Sequence, residues 1–528
     1  MLRPVKYLLY FFALLLILLV GGAAALTALF DPNDYKAEIA AEVKKASSLQ
    51  LNMPGEINWK LFPRLALSVG ETELHTEKTY AGDTLFAKLD TFSMGISWRS
   101  LLKRALRADH LQVEGLQLRM VTDKRGHSNW KDIEASSAAD TADTGTSDET
   151  GNLALELADL VLRDIAVRLV DQSLGTDQQF TVEQFVAQYV NFTGRAFPLE
   201  LQARFDDGNQ QFNLAVQADA LVDNAREQYA LQKLRGNLDD SRFTGQVKIG
   251  LGKQTSFDGE LNVDELNIDK YLGETGASDT SGDSKGDAGS SATGNEDISF
   301  DALKSLNTKF RLNIGKLVAA GATLDTVSVD TAIANGVLNL KNMQAQVFGG
   351  SVQLAAKLDA SRPTATLNVE QQLSQVEIRE VFENREIDVN LSGTTSIKSN
   401  LAMRGNSVNA WLASLNGRTG FEFDEGRYGD DNIQYRVCQA IALARTQALG
   451  PALDTGTAFD SVRADIEWQN GVGRITAFNA GLENLKLIGD GTVSLLDQSF
   501  DLRVLANITG DISGSYPACA INEKYREI

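Results

Sequence analysis

A chain of 528 residues is too long for one ordinary hydrophobic core, so its length predicts several domains or one extended, repeating body. Its net charge of −20 argues against a nucleic-acid partner, because phosphate binding needs a basic surface. Its two cysteines, Cys438 and Cys519, exclude a disulfide-rich framework. They could pair if the chain is exported, but spacing alone does not distinguish a disulfide from two unpaired small apolar residues.

The first 30 residues predict a membrane anchor. Arg3 and Lys6 precede an apolar run over residues 7–30, and about 20 apolar residues are enough to cross a bilayer as a helix. Positive charge before the run predicts a cytoplasmic N-terminus and export of everything beyond it. A cleaved signal peptide is the alternative, since residues 23–25 are alanines. The apolar run continues past them, which favours an uncleaved anchor.

A short helix and then β-strands are predicted after the anchor. Asp31 and Pro32 are typical of a helix start, and Tyr35, Ile39 and Val43 recur at helical spacing. Beyond this helix, apolar and polar residues alternate with period two. That alternation predicts strands with one apolar face and one wet face.

Two stretches rich in Ser, Thr, Gly and Asp divide the exported part of the chain. Residues 135–150 and 274–297 have no apolar periodicity, which predicts flexible, acidic linkers. The predicted organisation is therefore an anchor over residues 1–30, a helix-and-strand region over 31–134, a central β region over 151–273 and a C-terminal β region over 298–528.

The C-terminal region predicts a meander of hairpins. Asn335-Gly336 and Asn470-Gly471 are strong turn signals, and each is followed by short alternating segments. The two stretches look like one module used twice, which predicts a sheet extended by similar hairpins. One amphipathic helix interrupts the meander near residues 431–447, with Asp430 or Asp431 as its predicted N-cap.

Six short motifs occur in order along the chain. They are Phe30–Lys36, Phe62-Pro63, Gly126–Trp130 (G-x-x-N-W), Ile314–Leu317 (I-G-x-L), Val347–Ser351 (containing F-G-G) and Leu412–Gly417 (L-x-x-L-N-G). Each motif alone consists of common strand and turn residues. In this order, behind a predicted anchor, they resemble the AsmA family over nearly the whole chain.

The resemblance implies a location and a fold. Proteins of this family lie in the inner membrane of Gram-negative bacteria and project into the periplasm. They are thought to form long, curved β-sheets with an apolar inner groove, related to chorein-type bridge-like lipid-transfer proteins. They are linked to outer-membrane assembly and lipid homeostasis, and the family brings no catalytic residues with it.

The residues themselves leave two ways to cover the apolar strand faces. Two sheets could pack as a sandwich, or one curled sheet could line an open groove. The resemblance favours the groove, so the predicted fold is mainly β: an elongated, curved antiparallel sheet of repeated hairpins, with a transmembrane helix and a few short amphipathic helices. The candidate groove residues are Phe310, Leu312, Ile314, Val327, Val329, Val352 and Leu354.

No catalytic or metal-binding pattern stands out in the sequence. His75, His110 and His127 lack metal-ligand spacing, and no nucleophile or phosphate-binding motif occurs. We therefore expect no enzyme activity and no cofactor.

The first hypothesis is a protein that binds or conducts phospholipid, or another envelope lipid, along the groove from its inner-membrane anchor. The alternative is a non-enzymatic assembly factor for outer-membrane proteins, whose sheet edge recruits strands.

Overall fold

The chain divides into two compact units, Met1–Gln246 and Val247–Ile528. The division falls inside the predicted central region. The computed structural model describes residues 31–60, 65–80, 82–96, 110–130, 157–252, 254–272, 297–452 and 455–510. The predicted anchor and, except for residue 297, both predicted linkers lie outside these ranges. None of the helices within these ranges is long and apolar enough to cross a bilayer.

Both units are built mainly from β-strands, as the alternation predicted. The strands of the first unit are β1 (Gln50–Asn52), β2 (Ile57–Lys60), β3 (Leu65–Val69), β4 (Thr72–Tyr80), β5 (Asp83–Leu89), β6 (Thr91–Ile96), β7 (His110–Glu114), β8 (Gln117–Thr122), β9 (Leu157–Asp171), β10 (Thr176–Val190), β11 (Phe197–Asp206), β12 (Gln211–Asp223) and β13 (Gln228–Leu238). Strand β14 (Ser241–Gly250) contains the boundary between the units.

The second unit continues with longer strands. They are β15 (Thr255–Asn267), β16 (Leu306–Ala319), β17 (Ala322–Ala334), β18 (Val337–Val347), β19 (Gly350–Asp359), β20 (Thr366–Glu377), β21 (Leu391–Arg404), β22 (Asn416–Tyr428), β23 (Thr457–Gln469), β24 (Val472–Leu482), β25 (Leu485–Ser494) and β26 (Ser499–Ile508).

The helical segments of the described residues are short. They are a 3-10 turn (Pro32–Tyr35), α1 (Lys36–Ser47), α2 (Asp269–Leu272), α3 (Asp301–Ser305), α4 (Ile378–Asn384), α5 (Val408–Ala413) and α6 (Ile433–Ala444). The predicted start of the first helical segment is confirmed, because the Asp31 side chain accepts a hydrogen bond from the Asn33 N–H at 2.9 Å. The first turn is 3-10 rather than α, and the α-helix begins at Lys36.

The N-terminal strands of the first unit form a sheet that divides into two branches, with a break between β7 and β8. β7 and β8 both pair in parallel with β9, separated from each other by Gly115 and Leu116. From there β6, β3 and β2 extend one branch, and β5, β4 and β1 extend the other. At the break a Cβ on Gly115 would collide with the Asp90 carboxylate, so the close approach requires glycine.

Beyond this break, β9 to β13 form an antiparallel meander. Its apolar side chains alternate onto one face, and Ala187, Phe197 and Ala220 are buried in one cluster. Phe205 and Phe212 stack at 6.0 Å across neighbouring strands. The first unit therefore has a hydrophobic core of its own.

In the second unit, β16 to β26 form one antiparallel meander in which each strand pairs with the next. Both predicted Asn-Gly turns are confirmed. Asn335 and Gly336 have φ angles of 53° and 78°, and Asn470 and Gly471 have 51° and 81°, as a type I′ hairpin requires. β15 pairs in parallel with β16, which the hairpin pattern did not predict.

The predicted amphipathic helix is confirmed as α6, although its start differs. Asn432, rather than Asp430 or Asp431, is the N-cap, and its side chain accepts a hydrogen bond from the Tyr435 N–H at 2.8 Å. Asp431 instead accepts a hydrogen bond from Arg436 at 3.0 Å. A carboxylate beside the cap can pair with a helix arginine, whereas the cap position itself needs only a short acceptor.

Candidate functional site: an apolar face of the second sheet

Five of the candidate groove residues lie in one cluster of the second unit. Ile314 and Val327 are buried, with 4% and 3% of their surface exposed. Three half-buried residues, Leu312, Val329 and Val352, pack against them. Leu312 is directly opposite Val329, and Ile314 is directly opposite Val327. The buried pair forms the base of the cluster, and the half-buried residues keep part of their surface exposed.

The other two candidates share this face but lie outside the cluster. Phe310 stacks on Phe257 of β15, with 5.6 Å between the ring centroids. Leu354 is directly opposite Met343 on one side and Gln371 on the other. Cross-strand partners project to the same face of a sheet. The register therefore places all seven candidates on one face.

This face continues across the whole meander as a single apolar row. One residue of each strand from β16 to β26 contributes, and each residue is directly opposite the next except where a bulge offsets Val327 from Ala345. The apolar row consists of Ile314, Val327, Ala345, Val352, Leu373, Ile397, Phe421, Ala464, Phe478, Gly489 and Val504. Eleven strands at about 4.8 Å spacing give the row a length of about 48 Å.

Most of the apolar row is only partly covered. Val352, Leu373, Ile397, Phe421 and Phe478 are all half-buried. A strand face packed against a second sheet would be buried. In the described part of the second unit, the row therefore keeps apolar surface open. A groove enclosing it stays a prediction.

Helix α6 covers one end of the sheet on this face. Cys438 and Ile441 of the helix are buried against Ala480, Leu482 and Leu485. Val462, Phe478 and Leu487 lie around this core as partly buried neighbours. The helix therefore seals the face near the ends of β24 and β25 and leaves the middle of the row uncovered.

The opposite face of the sheet is charged and polar. Cross-strand ion pairs occupy it: Glu422–Arg463 at 2.7 Å, Glu467–Arg418 at 3.2 Å, Asp330–Arg311 at 3.6 Å and Glu265–Lys316 at 2.9 Å. Each such exposed pair contributes about 0.2–1 kcal/mol to stability. The two faces of one sheet therefore differ sharply in polarity.

Two depressions of the second unit are lined mainly by residues of the polar face. The larger has a volume of about 550 Å³, and polar side chains line it, among them Gln353, Glu370, Lys398 and Asn400. The smaller, about 480 Å³, lies beside it around Gly420. The lining of the smaller depression also includes Leu373, Ile397, Phe421 and Ala464 of the apolar row.

The glycines of two family-like motifs allow close approach between strands. A Cβ on Gly315 would lie 2.5 Å from the Asp264 carbonyl oxygen of the parallel neighbour β15. Gly417 has a φ of 142°, and a Cβ there would collide with the Asn400 carbonyl oxygen. These positions require glycine for backbone reasons. The I-G-x-L and L-x-x-L-N-G motifs therefore support the sheet rather than form a site.

The G-x-x-N-W motif closes a free stretch of sheet edge. The buried Asn129 amide accepts a hydrogen bond from the Val121 N–H at 2.9 Å and donates one to the Arg119 carbonyl at 2.8 Å. Asp123 begins the turn, and the backbone hydrogen bond from His127 lowers the pKa of its carboxyl. The asparagine side chain thus replaces a neighbouring strand for two residues of β8.

The three histidines do not come together. His75 contacts Thr84 at 3.2 Å, His110 lies 3.6 Å from Asp159, and His127 lies 3.5 Å from Asp123. No group of three or more metal-ligating side chains occurs in the part of the chain that the structure describes. Cys438 of α6 is fully buried and is not a free thiol. Cys519 lies outside the described residues, so the Cys438–Cys519 pairing stays a prediction.

Sequence reasoning did not single out the middle of the apolar row. Leu373, Ile397, Phe421 and Phe478 were not among the candidate residues. Leu373 and Ile397 have polar neighbours on both sides and Phe421 and Phe478 on one side, so part of the period-two signal was present. What the sequence lacked was the register, which depends on bulges such as the one between Leu373 and Val376.

Comparisons with known proteins agree with the motifs. The model of the AsmA family matches residues 1–228 and 208–478. The chain is also 20% identical over 533 aligned positions to Protein AsmA of Escherichia coli (strain K12), covering 92% of this chain and 86% of that protein. No solved structure was found to match.

Proposed function

The chain belongs to the AsmA family, and from this premise we propose that it is a non-enzymatic envelope protein that holds phospholipid acyl chains against its apolar row. In this proposal the N-terminal segment anchors it in the inner membrane and the described units lie in the periplasm. Its role is in outer-membrane biogenesis, where lipid moves between the two membranes.

One observation carries the proposal: the apolar row is continuous across eleven strands, and only its first three residues, Ile314, Val327 and Ala345, are buried. Exposed apolar patches of this extent are rare on soluble proteins unless they bind something. The opposite face carries cross-strand ion pairs. The asymmetry supports a ligand that is apolar along its length.

Acyl chains fit this surface energetically. Burying one methylene group contributes about 0.8 kcal/mol, so even ten methylenes would contribute several kcal/mol after the cost of ordering the lipid. The row is about 48 Å long, which exceeds the roughly 30 Å hydrocarbon thickness of a bilayer. Several chains could therefore lie along it in succession.

The test compares adjacent residues of one strand that face opposite ways. A photo-crosslinking amino acid at Leu373 is expected to capture phospholipid in intact cells, whereas the same group at Gln372, on the polar face, is expected not to. Mass spectrometry of the adducts identifies the lipid. Equal labelling at the two positions, or no lipid at Leu373 in a stably folded protein, would refute the proposal.

A second candidate function follows from the sheet edge. Among the described strands, β26 pairs only with β25, so half of its backbone hydrogen-bonding groups face outwards. Such an edge can accept a strand from another protein. A non-enzymatic assembly factor for outer-membrane proteins would use it in this way. Capture of an outer-membrane protein by crosslinkers on β26, without lipid on the apolar row, would favour this candidate.

A further inference from the structure

Strand β26 is the most exposed strand of the second unit. Phe500 has 81% of its surface exposed, Leu502 37%, Val504 42% and Leu505 51%. These four residues are divided between the two faces of the sheet, since Leu505 projects from the face opposite to that of the other three. On the neighbouring strand, Leu485 is buried and Leu487 is half-buried. The exposure of β26 follows from its having a single partner strand among the described residues.

This edge lacks several of the features that usually prevent strand addition. Its pairing with β25 is regular over ten residues, with no bulge, and the strand contains neither proline nor lysine. Proteins commonly protect an open edge with such features. Asp501 and Arg503 are the only charged residues of this strand, so its regular edge favours addition of a strand with complementary charges.

The sequence of β26 is complementary to itself in one antiparallel register. With Leu502 opposite Leu502 of a second copy, Asp501 falls opposite Arg503, and the two-fold axis repeats this charge pair. Phe500 then falls opposite Val504, which is an aromatic–β-branched pair. We propose that the chain forms a two-fold symmetric dimer by antiparallel pairing of β26 with β26 of a second copy.

Pairing in this register extends the apolar face across both copies. Val504 ends the apolar row of one copy, and in the dimer Phe500 of the second copy lies beside it. Phe500 and Val504 project to the same face, because they are directly opposite Val493 and Gly489 of β25. The most exposed apolar side chains of the edge thereby gain an apolar neighbour.

The first test uses the residue on the two-fold axis. Leu502→Cys in the full-length chain should give a disulfide-linked dimer on mild oxidation, because directly opposed residues have Cα atoms about 4.5–5.5 Å apart. Thr492→Cys, on the inner strand β25, is the matched control: its two copies would lie more than about 14 Å apart, too far to bridge. Dimer formation no greater than in the control and the parent chain overturns the proposal. The proposal is also overturned if Leu502→Cys forms crosslinks only to a different polypeptide.

The second test exploits the charge pair. Asp501→Arg or Arg503→Asp alone places like charges opposite each other twice, and should weaken dimerisation about tenfold. The double exchange D501R/R503D restores opposite charges and should restore the dimer. Analytical ultracentrifugation of the full-length chain in detergent measures both effects. Unchanged dimerisation in the single variants, or no recovery in the double variant, overturns the register.

Discussion

At the scale of single residues, Asn129 is the clearest structural requirement of the first unit. Its amide satisfies one donor and one acceptor of β8, at Val121 and Arg119. Asn129→Ala would leave both backbone groups buried without a partner, which costs about 1–3 kcal/mol each before relaxation. We expect a lower free energy of unfolding, measured by urea denaturation of the full-length chain.

His127→Ala in the same turn is the matched control. The His127 side chain is 70% exposed, and its backbone N–H, which bonds to Asp123, is retained in the variant. We expect a change below about 0.5 kcal/mol. If Asn129→Ala is no more destabilising than His127→Ala, the asparagine does not hold the sheet edge.

Asn129 and Gly336 differ in how much of their structural role the sequence reveals. The order G-x-x-N-W was visible in the sequence, but the role of Asn129 was not, because its partners belong to a strand edge that only tertiary structure defines. Gly336 is the opposite case: its positive φ follows from local turn chemistry and could be predicted from two residues.

At the scale of elements, α6 stabilises one end of the sheet. Ile441 is 7% exposed and packs against the β24–β26 core, whereas Leu443, two residues later, is 81% exposed. Ile441→Ala should lower the free energy of unfolding by about 2–5 kcal/mol, and Leu443→Ala by less than about 0.5 kcal/mol. Both substitutions remove a similar aliphatic group from the same helix, so helix propensity changes little between them. Similar denaturation midpoints for the two variants would show that α6 does not pack as described.

Elements were predictable where the signal is local. The period-two alternation, the Asn-Gly turns and the amphipathic pattern of α6 each depend on a few neighbouring residues. The parallel pairing of β15 with β16 was not predictable, since it joins strands on either side of a long polar insertion over residues 274–297. The division of the first unit's N-terminal strands into two branches was not predicted, for a similar reason. A single glycine such as Gly115 signals a bulge or a turn equally well.

At the scale of the whole molecule, the apolar row is a property of register rather than of any one strand. A one-residue slip in one strand would turn its apolar side chains to the charged face. The cross-strand ion pairs oppose such a slip, because Glu422 would lose Arg463 and Glu467 would lose Arg418. The polar face thus fixes the alignment that makes the apolar face continuous.

The consequence for function is tested by adding one charge to either face of β21. Ile397 belongs to the apolar row, and Asn400, three residues later, projects from the polar face. Ile397→Asp places a carboxylate where an acyl chain would have to desolvate it, at a cost of several kcal/mol. Lipid bound to the purified full-length chain should fall at least about tenfold, measured by native mass spectrometry. Asn400→Asp adds the same charge to a wetted surface and should leave bound lipid unchanged. If both folded variants retain lipid equally, acyl chains do not lie along the apolar row.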